Sequence, residues 1–172
     1  KTELLGDGEL NYGILGSDKE TKEERFLINY QQSGTWGSRW SHDWVYNKVS
    51  DDDYFGDMNS SAAVDRTTHL PRRGTVSYSA PQVNGNVLVE SFQTTDETIA
   101  LSNRPYRRLP QLNLTLTPTT GSTWTLQQTL QTTRFNRDSS AIINDSQQTL
   151  SGFSALNGDR LLSDSSISYP IR

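Results

Sequence analysis

The sequence predicts an all-β fold, an antiparallel up-and-down meander of about eight strands built as a barrel or a section of one. Three observations predict it. From Trp40 to Val49 residues alternate strictly, with Trp40, His42, Trp44, Tyr46 and Lys48 to one side and Ser41, Asp43, Val45, Asn47 and Val49 to the other. The same scheme of alternating segment and polar excursion recurs along the chain. No stretch carries the i, i+3, i+4 apolar spacing of an amphipathic helix.

Taken in order, Leu10, Tyr12 and Ile14 mark a first strand over 8–15, followed by a charged connection from Gly16 to Glu23. Phe26, Ile28 and Tyr30 mark a second over 24–33, and Gly34-Thr35-Trp36-Gly37 reads as a tight turn into the third. That third strand runs into Ser50-Asp51-Asp52-Asp53, which reads as solvent-facing, and a polar segment continues to about Leu70. Val76, Tyr78 and Ala80 mark a fourth strand ended by Pro81, and Asn84-Gly85 is the dipeptide suited to a type I′ hairpin. Val87 and Val89 open a fifth strand to about Gln93, before a second polar loop from Asp96 to Arg108. Leu112, Leu114 and Leu116 form a sixth, and Thr119 to Ser122 a short turn. Trp124, Leu126 and Leu130 form a seventh, with a third long loop from Asn136 to about Asn157. Ile167, Tyr169 and Ile171 close the chain in an eighth.

The 172 residues read as a single domain over 1–172. Hydrophobic content is 32%, below the roughly 45–50% of ordinary soluble domains. Seven Tyr, four Trp and five Phe argue against disorder as the cause, so a sheet with one apolar face and wet loops is expected. The net charge of −4 argues against a nucleic-acid partner. There is no cysteine for a disulfide or thiolate site, no helical membrane span and no opening signal peptide.

From the second strand onward the connections alternate short and long, the plan of an outer-membrane barrel with tight periplasmic turns and long outer loops. In that frame both chain ends lie on the periplasmic side. Alternation alone leaves open which way the apolar stripe faces. In a membrane barrel Trp44, Tyr46, Val76, Tyr78, Leu112, Leu114, Leu116, Trp124 and Leu126 face lipid, and Trp40, Trp44, Tyr46, Trp124 and Tyr169 suit interfacial girdles. In a soluble barrel the same stripe fills a dry interior able to hold a small apolar ligand, or the chain is an engineered scaffold. The stripe is broken by His42, Gln128 and Thr132, while the opposite face is rich in Thr, Ser, Asn and Gln.

Residues able to do chemistry are few. Asp51, Asp52, Asp53 and Asp57 lack the ligand spacing of a calcium loop and read as a solvated charge run. His42 and His69 are the only histidines, and no serine is marked as an activated nucleophile. Arg72, Arg73, Arg107 and Arg108, with Arg104 nearby, are candidates for lipid phosphates, or else for partners among inward carboxylates such as Glu90. The reading is a non-enzymatic protein with no cofactor and no metal.

The segments WVYNKVSDDDYFGDM, THLPRRGTVSYSA, VLVESFQTTDETI, RPYRRLPQLNLTL and TRFNRDSS, in that order, resemble early barrel strands of the LptD family of lipopolysaccharide-assembly outer-membrane proteins. VSDDDYF and PYRRLPQL are the most specific of them. The resemblance runs over roughly residues 9–137 and more weakly over the last strand. It implies a large barrel, plugged by the lipoprotein LptE, that takes lipopolysaccharide from a periplasmic jellyroll domain. The lipid then leaves through a lateral seam between first and last strands into the outer leaflet. The implied partners are lipopolysaccharide, LptE, the barrel-assembly machinery and outer-membrane lipid, in the outer membrane of a Gram-negative bacterium. The chain lacks the family's jellyroll and cysteines, so it reads as an excised or re-engineered section.

Overall fold

A computed structural model of the chain describes residues 6–16, 24–57, 68–100, 103–119, 124–137 and 157–169. These form one eight-stranded sheet: β1 (Asp7–Leu15), β2 (Arg25–Trp36), β3 (Trp40–Val49), β4 (His69–Ala80), β5 (Val83–Thr94), β6 (Arg107–Leu116), β7 (Thr125–Asn136) and β8 (Asn157–Ser168). Spatial order equals chain order and every neighbouring pair is antiparallel. The meander is therefore as the alternation predicts. β1 and β8 are the two edges, and no pairing joins them among the described residues, so the sheet is open.

Register decides which residues share a face, because antiparallel partners project to the same side. One row crosses the sheet as Gly34, His42, Val76, Val87, Leu112, Thr132 and Leu161. The next runs Trp36, Trp40, Tyr78, Gly85, Leu114, Leu130 and Ser163. These rows carry the apolar stripe. The other face carries Asn29, Asn47, Asp43, Arg73, Glu90, Gln111 and Asn113.

Several boundaries differ from the sequence reading. The first tight turn lies at 37–39, not 34–37: Trp36 pairs with Trp40, and Gly37 takes a φ of 66°, the left-handed conformation glycine accepts without strain. Gly34 is a strand residue opposite His42. Nor is Asn84-Gly85 a turn. Pro81 and Gln82 form the two-residue loop between the paired Ala80 and Val83, since proline presets the backbone for the first turn position. Gly85 serves a close approach instead: a Cβ there would stand 3.2 Å from the Asn113 carbonyl oxygen. β8 begins at Asn157, well before the expected last strand, and ends at Ser168. It pairs residue for residue with β7 although its sequence shows no long alternation. Pro110 in β6 has no N–H to give the ladder, and the registers shift between Arg108 and Gln111 and between Leu88 and Glu90.

The expected third loop (138–156), the turn residues 120–122, Pro170 and Ile171, and the middle of the first long loop (58–67) lie outside the described residues. Among the described residues the short connections 37–39 and 81–82 both fall at one rim, and the strand ends at Leu15, Val49 and Thr94 lie at the opposite rim.

The small apolar core, Leu27, Val49, Tyr54 and Leu70 with Phe55 against it, sits at the long-loop end. It is closed by one helical turn, α1 (Tyr54–Asp57), too short to leave a periodic signal. Where the β3–β4 ladder stops at Tyr46 and Arg72, the Gln93 side chain takes over. Its amide nitrogen donates to the Val49 carbonyl (2.9 Å) and its oxygen accepts from the Val49 N–H (3.2 Å).

Candidate functional site

The two faces of the sheet are inverted relative to a water-soluble protein. On the apolar face Leu10, Tyr12, Ile14, Val87, Leu112 and Ile167 are all exposed, Ile14 at 70%. Among the described residues the buried polar side chains other than His42 belong to the opposite face: Arg25, Asn29, Asn47, Glu90, Gln111 and Thr133. Burying polar groups costs free energy unless each is hydrogen-bonded, and most of these are. Asn29 donates to Asn47 (2.6 Å), which donates to the Pro71 carbonyl (3.2 Å). Gln131 donates to Asn113 (2.6 Å) and Asn113 to Asn86 (2.5 Å), while Arg160 donates to Gln131 (2.7 Å). This ladder ties β5 to β8 across the polar face.

Register places every residue of the expected stripe but Trp124 on one face: Trp44, Tyr46, Val76, Tyr78, Leu112, Leu114, Leu116 and Leu126, with Tyr46 and Leu112 exposed and the others half-buried. Trp124 stands just ahead of β7, half-buried. Aromatics gather at the short-turn rim. Trp40 packs on Tyr78 (4.8 Å), Trp36 stacks on His42 (4.7 Å), and Arg39 donates to the Tyr78 hydroxyl (3.3 Å); Trp124 and Tyr169 lie at the same rim. Trp44 is mid-strand. Its ring lies over Gly74, where a Cβ would come within 2.4 Å of it. The role of Gly74 was invisible in the sequence because nothing local marks a glycine under a ring. Toward the long-loop rim the aromatics carry cations: Lys48 over Phe26 (5.2 Å) and Arg72 over Tyr46 (5.4 Å).

The arginine pairs of the sequence are split between the faces. Arg73 pairs with Asp43 (3.2 Å), both half-exposed. Arg108 donates its Nε (2.8 Å) and Nη2 to Glu90 and Nη1 to Gln111 (3.3 Å). Arg72, in contrast, donates to the Asn47 carbonyl (3.0 Å) and Gln93 (2.7 Å), and together with Arg104, Arg107 and Arg137 it lines a cavity of about 330 Å³. Arg137 had no local signal that would join it to this group.

The acidic run is less solvated than its composition suggests. Asp51 is half-buried and takes Arg25 Nε (3.0 Å) and Nη2 (2.5 Å) and the Ser50 hydroxyl (2.5 Å). Burial pushes its pKa up, but the hydrogen bonds from Arg25 and Ser50 outweigh that and hold it below the usual carboxylate range. Asp52 goes the other way, raised by burial and then by the negative Glu97. The Asp57 side chain lies outside the described residues.

Opposite signs follow for these neighbours. Asp51 contributes stability that is full above its unfolded pKa and lost as pH falls through its lower folded value. Ionised Asp52 costs stability at neutral pH, a cost relieved as pH falls through its raised folded value. Thermal midpoints at pH 7 should fall for Asp51→Asn and rise or hold for Asp52→Asn. Equal falls would contradict the assignment.

Comparison with known proteins adds a family to this geometry. Residues 23–172 match the family model described as LptD, LPS transport system D. The chain is 40% identical over 121 residues to the LPS-assembly protein LptD of Alcanivorax borkumensis, covering 66% of this chain and 15% of that protein. It is 35% identical over 162 residues to that of Acinetobacter baumannii (88% and 18%) and 28% identical over 176 residues to that of Marinobacter nauticus (97% and 21%). The chain thus spans about a fifth or less of the length of these relatives.

Proposed function

This chain belongs to the LptD family, LPS transport system D, and from that premise we propose that it is a transmembrane wall of the outer-membrane barrel that inserts lipopolysaccharide into the outer leaflet of a Gram-negative bacterium. The carrying observation is the inversion of the faces: exposed Leu112, Val87 and Ile14 on one side, buried and hydrogen-bonded Asn29, Asn47 and Glu90 on the other. Lipid is the solvent that suits the first face, and a hydrated lumen suits the second. A soluble barrel holding an apolar ligand would need the reverse.

Dimensions support the reading. β2 to β8 are 10–12 residues long, and a tilted strand of roughly 9–11 residues crosses a bilayer. Aromatic residues at the short-turn rim and cation-bearing aromatics near the other match the two interfaces. In this orientation the short turns are periplasmic and the long loops outside. The open edges β1 and β8 present unpaired backbone groups that hydrocarbon does not tolerate, so further barrel strands flank them. The role is structural and non-enzymatic. Lipopolysaccharide is the cargo, LptE occupies the lumen and the barrel-assembly machinery inserts the protein.

Labelling tests this. In the intact protein folded in a bilayer, a spin label at position 114 should be reached by a lipid-confined quencher, and one at position 115 by a water-soluble one. A label at 114 that is shielded from lipid defeats the proposal.

A further inference from the structure

We propose that the cleft on the apolar face between Trp44, Tyr46 and Leu109 binds one hydrocarbon chain of a membrane lipid, held as a ligand and not as passing solvent. The proposal rests on the membrane reading above and adds to it a place where lipid stays. One row of that face runs Gln32, Trp44, Gly74 and Val89, and the next runs Tyr30, Tyr46, Arg72 and Ser91. A cavity of about 560 Å³ follows both rows from β2 to Leu109 of β6, a volume within the usual range of ligand sites. Crossing from β2 to β6 makes it roughly 19 Å long at about 4.8 Å per strand, a shape that suits a chain and not a compact solute.

Three features open the space. Gly74 has no side chain, and a Cβ there would stand 2.4 Å from the Trp44 ring, so that ring forms the floor in its place. Ser91 is short beside Arg72 in its row. On the far side Leu109 and Pro110 together stand against Val89, between the pairs Glu90–Arg108 and Leu88–Gln111. Such a bulge re-aims side chains, and Leu109 joins the cavity wall.

The chemistry of the wall selects hydrocarbon. Tyr46, Val89 and Leu109 are exposed at its rim. Most polar side chains around it are engaged with protein partners. The Tyr30 hydroxyl donates to Gln32 (2.5 Å), and Arg72 donates to the Asn47 carbonyl and Gln93. Arg73 and Glu90 spend their charges on Asp43 and Arg108 across the sheet. Within a bilayer, where removal from water offers nothing, a chain is held by close packing. A cleft wraps it on several sides where a flat wall touches one. Trp44 is mid-strand and Arg72 stands toward the long-loop end of β4, so in the proposed orientation the chain comes from the outer leaflet.

Photolabelling of the intact protein tests this, in phosphatidylcholine vesicles with a trace of phosphatidylcholine carrying a diazirine on one acyl chain. Irradiated in the bilayer, Trp44 and Tyr46 on one side and Leu114 and Leu116 on the other should all take label. Irradiated after exchange into neutral detergent, Leu114 and Leu116 should lose about tenfold or more, while Trp44, Tyr46 and Leu109 keep most of theirs. Val89→Trp and Leu109→Trp, each checked for an unchanged β-sheet spectrum, fill the cleft from its exposed rim and should abolish the label retained at Trp44 and Tyr46. Val87→Trp, exposed on the same face outside the cleft, should leave it in place. No label at any of these positions in the bilayer means that the face does not meet lipid, and the membrane reading fails with the site. Equal loss everywhere in detergent leaves the membrane reading standing and overturns the site alone. Label at Leu114 with Trp44 and Tyr46 bare from the start means that protein, from this chain or a second copy, fills the cleft, which also overturns it.

Discussion

Leu112→Arg is expected to cost about 2–4 kcal/mol when the protein is folded in a bilayer. Leu112 is four residues from the Leu116 end of β6 and five from the Arg107 end, so it is roughly 13–17 Å along the strand from either rim at about 3.3 Å per residue. Its side chain is exposed beside Val87 and Thr132 on the apolar face. In water such a position would accept arginine within about 0.5 kcal/mol, since no packing is lost and the charge stays hydrated. Hydrocarbon reverses that. Thr115→Arg, on the polar face, should cost much less in the same bilayer, because its charge enters the hydrated side. Urea-dependent unfolding from lipid vesicles measures both. A near-zero cost at 112 would mean that this face meets water or protein, and the membrane assignment would fail with it.

The two faces were legible in the sequence, but the direction of each was not. Period two sorts residues onto opposite sides, and Leu112, Leu114 and Leu116 read identically whether they meet lipid or a dry interior. Burial of Asn29, Asn47 and Gln111 on the other side, which only the assembled sheet produces, breaks that symmetry. Local turn chemistry misled where two signals competed. Asn84-Gly85 is a strong hairpin dipeptide, yet Pro81 three residues earlier took the turn and left Gly85 to accommodate β6. β8 had almost no apolar signal, because Ser163, Asp164, Ser165 and Ser166 hold their place through the backbone ladder to β7 and, at Ser163 and Ser165, through hydrogen bonds with the Gln128 side chain.

The arginines follow the same logic. Arg72 and Arg73 are adjacent in a strand, as are Arg107 and Arg108, so neither pair can act together on one ligand; neighbours in a strand project to opposite faces. The period itself was enough to split them. The joining of Arg72 and Arg107 with Arg104 and Arg137 depended on the loop from β5 to β6 folding back on itself, held by Arg104 on Ile99 and by Asp96 accepting from the Thr98 hydroxyl (2.5 Å) and N–H (2.9 Å). No spacing rule carries that.

Arg108→Met should destabilise the protein by about 3 kcal/mol, whereas Arg73→Met should change stability by less than about 1 kcal/mol. The two arginines look alike in sequence and each pairs with one carboxylate. Their surroundings differ. Glu90 is 6% exposed and receives two hydrogen bonds from Arg108, so removing the guanidinium strands a buried negative charge beside the β5–β6 register shift. Asp43 and Arg73 are exposed at 47% and 43%, so water takes over when either is lost. Glu90→Gln in the Arg108→Met background should recover much of the loss, because a neutral amide no longer needs a cation. An Arg108→Met variant as stable as the parent would show that Glu90 is solvated from within the barrel, and that the polar face is wetter than its burial indicates. Equal losses at 73 and 108 would instead mean that net positive charge, not the Glu90 pair, sets the effect.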